Sequence, residues 1–201
     1  MRRSFLLVMI VCAGVSGCAA TKLTSKWTDP NIQTEGPFQR VLVVVLSPNS
    51  TTQKIAETEF IQNLPEGTQA IPSYRVIARE DLKDVDKVRQ VVDQRGIDGV
   101  AVFRLASIEE KEEYVPGSYA GSPYLWSYYG TVAPPVYEPG YIRVDTIVKV
   151  DIKFFSAKDE AAVWSGSTET FNPSSEQKVI DDVARVVAKE LEKSGVVGGA
   201  S

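Results

Sequence analysis

The sequence predicts an α+β fold: a two-layer sandwich built on a mixed five-stranded sheet, helices mainly on one face, element order β-α-β-α-β-β-β-α. Three patterns carry the prediction. Residues 40–46 (RVLVVVL) are an unbroken apolar, β-branched run, as a central strand covered on both faces requires. In residues 141–155, Ile142, Val144, Thr146, Val148, Val150, Ile152 and Phe154 alternate with Arg143, Asp145, Lys149, Asp151 and Lys153, the period of two of an antiparallel strand with one wet face. Near the C-terminus Ile180, Val183, Ala184, Val187, Ala188 and Leu191 recur at helical spacing.

The chain opens on a targeting segment. Arg2 and Arg3 precede residues 5–15 (FLLVMIVCAGV), an apolar run shorter than the ~20 residues needed to cross a hydrocarbon core. It predicts a signal peptide over residues 1–17, not a transmembrane helix. The segment closes on Val15-Ser16-Gly17-Cys18, which resembles the lipobox of bacterial lipoproteins. The resemblance implies cleavage before Cys18 and acylation of Cys18, palmitate included; two or more chains hold a protein firmly where one does not. Ala19, where an Asp would retain the protein, implies the outer membrane, periplasmic face, by the enterobacterial sorting rule. An ordinary signal peptide cut after Ala19 or Ala20 is the alternative.

The remaining elements follow in order. Residues 18–26 read as a lipidated tether, and 27–195 as a single globular domain in which Trp27 caps one end of the core. Ser50 and Gln53 form a capping box for a helix with Ala56, Phe60 and Leu64 on one face, ended by residues 65–67 (PEG). Residues 74–78 (YRVIA) read as a short strand. A second helix over 81–95 carries Leu82, Val85, Val88, Val91 and Val92, with Gly96 placed for a left-handed cap. The strand from Gly99 is apolar to Leu105 and charged over 107–113 (SIEEKEE), as if leaving a covered sheet for solvent. A hairpin at 156–160 joins residues 141–155 to a strand at 162–171 (AVWSGSTETF). The last helix spans 174–194 with Gln177 completing its capping box, and residues 196–201 read as a flexible tail.

Residues 114–141 form an aromatic insertion with seven of the eight tyrosines, and Glu138 is its only charge. Disordered segments are poor in aromatics and rich in charge, so the composition does not predict disorder. Tyrosine with Gly, Ser and Pro suits a binding surface, where each ring offers wide contact with few rotors. Tyr119, Tyr124, Trp126, Tyr128 and Tyr129 are the partner-binding candidates; a second small core folded back on the sheet is the alternative.

Composition narrows the chemistry. There is no histidine, and the two cysteines are Cys12, inside the signal peptide, and Cys18. Imidazole-based triads and zinc sites and thiol nucleophiles are therefore excluded from the mature chain, and no cofactor or metal site is expected. Losing Arg2 and Arg3 takes the formal charge from −4 to −6, which disfavours nucleic acid. Of Glu109, Glu110, Glu112 and Glu113, at most two share a strand face, so a solvated edge is expected rather than a cation site. Asp181 and Asp182 are expected on an exposed helix face.

The mature chain is similar to a family of uncharacterised bacterial outer-membrane lipoproteins in its lipobox, Trp27-Thr28-Asp29-Pro30, residues 40–46, Asp98-Gly99-Val100 and Val163-Trp164-Ser165-Gly166. Its element order is also similar to the amino-terminal domain of TolB and to the curli-secretion pore lipoprotein. These resemblances imply an envelope component that binds proteins or forms rings. The insertion lacks the ~9 to 11-residue alternating strands of a transmembrane barrel. The expectation is a non-enzymatic protein held in the membrane by lipid on Cys18, with an envelope protein or a second copy as partner; the alternative is a ring-forming subunit of an export or secretion complex.

Overall fold

A computed structural model describes residues 21–32, 37–120 and 136–198. The signal peptide, Cys18 and four of the binding candidates, Tyr124, Trp126, Tyr128 and Tyr129, lie outside the described residues. The fold is mixed α+β, with one open sheet of six strands, not five. In chain order these are β1 (Thr21–Thr28), β2 (Arg40–Leu46), β3 (Gln69–Pro72), β4 (Gly99–Val115), β7 (Tyr141–Ser156) and β8 (Ala162–Phe171), and across the sheet β1-β8-β7-β4-β2-β3. Two short strands, β5 (Ser118–Ala120) and β6 (Val136–Glu138), pair separately. The α-helices are α1 (Ser50–Gln62), α2 (Val85–Arg95) and α3 (Glu176–Lys193).

The sixth strand is β1, most of which was expected as tether. It lies antiparallel on β8, Thr21 opposite Thr170 and Thr28 opposite Trp164. Its lysines, threonines and serines hid it, and an outer strand tolerates such residues because one face and one edge are wet. Trp27 consequently points away from the core and is 48% exposed.

β2 is covered on both faces, as its sequence demands. Val41 and Val43 join Phe60, Phe103, Trp164 and the α3 stripe on one side. Leu42 and Val44 meet Ile77, Ile97 and the valines of α2 on the other. The two-layer expectation therefore holds over β7 and β8, while a third layer, α2, covers the β2 side.

Three local expectations shift. The second strand is Gln69–Pro72, parallel to β2, and Ser73–Arg75 is a 3₁₀ turn whose Ser73 hydroxyl and Tyr74 N–H donate to Glu57 instead of a ladder. The caps of α1 and α3 are Asn49 and Ser175, each one residue from the expected position, because Gln53 is turned into the core and Gln177 donates along the helix to Asp181. Val196 and Val197 are buried, with Val197 bridged to Phe38, so the chain stays docked past Gly195. Gly96 does take the left-handed cap, φ 58°.

The residues that carry the family resemblance have structural work. The Asp98 carboxylate accepts the Gln39 and Arg40 N–H groups, both at 2.9 Å, tying β4 to the start of β2. A Cβ on Gly99 would sit 2.6 Å from the Phe154 ring, and one on Gly166 would sit 2.5 Å from Trp164, which is fully buried. Gly166→Ala should therefore overpack a ring with nowhere to move, costing about 1–3 kcal/mol. Urea denaturation tests this, and a cost near zero would show that Trp164 has room to shift.

Candidate functional site

The sheet register defines one end of the molecule. Thr21, Thr170, Val148 and Ile108 are paired in sequence across β1, β8, β7 and β4, forming one rung. The chain enters the fold at that rung, three residues after Cys18. One rung further, past the pair Ile147 and Phe171, β4 and β7 continue as a two-stranded arm out to the pair Val115 and Tyr141. The five rungs from Thr146 to Tyr141 project it by roughly 17 Å at ~3.4 Å each. Residues 107–113, expected as a strand leaving for solvent, are thus paired throughout.

The two faces of the arm differ. On one, Glu113 pairs with Arg143, which also reaches Asp145 at 3.3 Å, and Lys149 lies 2.7 Å from Glu109 and 3.6 Å from Glu169. The Lys149 ammonium holds the Glu109 carboxyl below its ordinary value by donating to it, and the same contact raises the pKa of Lys149. These acidic residues therefore make cross-strand ion pairs with basic partners, not a cation cluster. Directly opposed residues of an antiparallel pair share a face, so Ile108, Tyr114, Ile142 and Val144 lie together on the other. They are 50–68% exposed, and only Glu110, Glu112 and Thr146 interrupt them.

That apolar face runs inward into a groove. A cavity of 580 Å³ lies between α1, α3 and the sheet, and Ile108, Thr146 and Val148 at the rung just described are among its lining. Phe60, Phe103, Val150 and Val183 line its interior, while Asn49, Thr52, Ser175 and Glu176, from the first turns of α1 and α3, supply the polar groups. Thr52 donates to Glu176 across the helices at 2.6 Å.

Sequence reading missed what fixes this rim. Glu57 is fully buried and accepts from the Val45 N–H at 3.0 Å, Gln53 at 3.0 Å, the Ser73 hydroxyl at 2.6 Å and the Tyr74 N–H at 3.2 Å. Arg79 donates to Gln53, to the Ser47 carbonyl and to the Pro48 carbonyl, holding the loop between β2 and α1. The signal was there in retrospect: Gln53, Glu57 and Phe60 fall on one helical face at i, i+4 and i+7. Asp182 is also buried, contrary to expectation; one carboxylate oxygen accepts from Lys178 and Arg185 and the other has no partner.

Of the proposed contact residues, Tyr119 is described, in the backbone of β5 opposite Tyr137. The base of the insertion is tight: a Cβ on Gly140 would meet the Tyr114 hydroxyl at 2.4 Å, and one on Gly117 the Glu138 carbonyl at 2.6 Å. Among the described residues no helix is long and apolar enough to cross a membrane and no group of three metal-ligating side chains occurs.

No protein-family model and no curated protein matches the chain. Solved structures do. Two dodecamer structures of PelC from Paraburkholderia phytofirmans match at 12% and 9% identity, over 88% and 89% of this chain and 98% and 100% of theirs, with TM-scores of 0.42 and 0.44. Lipoprotein GNA1162 from Neisseria meningitidis matches at 14% identity over 77% of this chain and 99% of its own, TM-score 0.39.

Glu57→Ala should strand several buried donors at once and lower stability by roughly 3–5 kcal/mol, with Glu57→Gln costing less. Chemical denaturation measures both; a loss below about 1 kcal/mol for the alanine variant would remove Glu57 as the organiser of the rim.

Proposed function

We propose that this protein is a lipid-anchored, periplasm-facing component of the bacterial outer membrane that binds another envelope protein and is not an enzyme. The observation that carries the reading is the arm. On one of its faces Glu113 and Arg143 form an ion pair, and the other leaves Ile108, Tyr114, Ile142 and Val144 exposed, the last three as direct neighbours. Singly exposed apolar residues need no explanation, but a contiguous strip marks a contact surface.

Its position supports the same reading. β1 starts three residues after Cys18, so with at most ~3.6 Å per residue the anchor stays within roughly 11 Å of the rung from which the arm leaves. The arm and the insertion at its tip, with Tyr119, Tyr124, Trp126, Tyr128 and Tyr129, then work close to the bilayer. A second copy of this chain is the alternative partner, as in a ring-forming subunit, because the outer strands β1 and β3 each keep one unpaired edge among the described residues.

The test separates anchor, surface and assembly. The intact mass should show lipid on Cys18, lost in Cys18→Ala. Replacing residues 117–139 by a Gly-Ser turn, or substituting Ile142→Asp with Val144→Asp, should leave the thermal midpoint within a few degrees. Either change should reduce co-purification of the partner at least tenfold. Sizing in detergent distinguishes a monomer from a ring. Unchanged co-purification in both variants would refute the arm as the contact.

A further inference from the structure

We infer that the groove between α1, α3 and the sheet is a lipid site that takes one acyl chain of a membrane phospholipid, with the polar headgroup left at the rim. The cavity volume, 580 Å³, falls within the ~300–1,000 Å³ of small-molecule sites. The packed interiors of folded domains leave few voids larger than a water molecule. A space this large, lined mostly by apolar side chains, is therefore a built feature of the fold.

The lining selects the class of occupant. From Phe103 to Ile108 the floor runs along strands β4 and β7 for roughly 14 Å, allowing one bulged residue, at ~3.4 Å per rung. Both strands are hydrogen-bonded to each other along that run, so their main chains present no free edge to the groove. Phe60 from α1 and Val183 from α3 add to the apolar lining. A peptide laid there would bring N–H and C=O groups into a site with few partners for them, at a cost its side chains would have to offset. A hydrocarbon chain brings none. Of the polar lining residues, Asn49, Thr52, Ser175 and Glu176 sit together at the helix starts, an arrangement that suits a molecule apolar along its length and polar at one end.

Location selects the source. Ile108 and Val148, in the lining, stand on the same rung as Thr21, where the chain arrives from Cys18. On the proposed anchoring of Cys18, that rung faces the bilayer and phospholipid is the apolar solute at the groove. This step alone rests on that reading.

The experiment uses the wild-type protein released from membranes into mild detergent and titrated with a pyrene-acyl phosphatidylglycerol, bound lipid being counted by native mass spectrometry. One probe lipid per chain should be retained, saturably. Ala56→Trp, which fills the groove from α1, and Val179→Asp, which puts a charge in its wall, should each weaken retention at least tenfold; the thermal midpoint identifies a variant that has failed to fold, and the other then decides. Saturable retention unaffected by a folded variant would overturn the site, and so would its absence from both wild type and Cys18→Ser. Retention by Cys18→Ser but not by the lipidated wild type would show that the protein's own acyl chain occupies the groove, overturning the phospholipid assignment. The same spectra report the mass at Cys18, so failure of the anchor reading is seen separately from failure of the site.

Discussion

The antiparallel pairing of β1 with β8 is the constraint from which the functional geometry follows. It sets Thr21 beside Thr170, where the two hydroxyls lie 2.7 Å apart on the helix-covered face. An N-terminus that left the fold at Thr28 would emerge opposite Trp164, at the far end of the same strand pair. Instead the chain traverses the whole sheet before reaching Cys18. The arm, the groove and the proposed anchor come to share one end because of seven paired residues of β1 whose side chains are mostly polar.

That arrangement explains how apolar surface is distributed. Where α1, α3 or α2 covers the sheet, its valines, isoleucines and phenylalanines are buried or partly buried; beyond the first turns of α1 and α3 the same strand face continues with Ile108, Tyr114, Ile142 and Val144 exposed. Each square ångström of apolar surface left in water forgoes about 25 cal/mol, so a fold of this size gains from a partner that covers the strip. The charged face of the arm has the opposite character. Its exposed ion pairs contribute little to stability individually, but they engage the charges of Glu113 and Arg143 within the arm and of Glu109 and Lys149 at its base, and leave the apolar face as the one to be covered.

Much of this was legible in the sequence and some was not, for physical reasons. A strand buried on both sides, such as β2, must be apolar throughout, and a helix lying on a core must show a stripe like that of α3; both were read within two residues. β1 was lost because an outer strand is under no such demand. Residues 74–78 read as strand because they favour extended structure, while the competing interaction, Glu57 reaching across from α1 to the turn at Ser73–Arg75, is invisible to local pattern. The groove itself emerges only once two helices that are distant in sequence are packed side by side. Trp164 and Gly166, two apart on β8, like Asp98 and Gly99, carry a resemblance to a family and turn out to serve packing and strand attachment.

The central claim, that the uncovered face of the arm is where another envelope protein binds, is tested most directly by photo-crosslinking in living cells from single positions on opposite faces of that arm. A photoreactive residue at Val144 should join the chain to one discrete protein, and one at Lys111, on the charged face, should not. Equal capture from both positions, or none from Val144 while the protein is folded and at the membrane, would contradict the account.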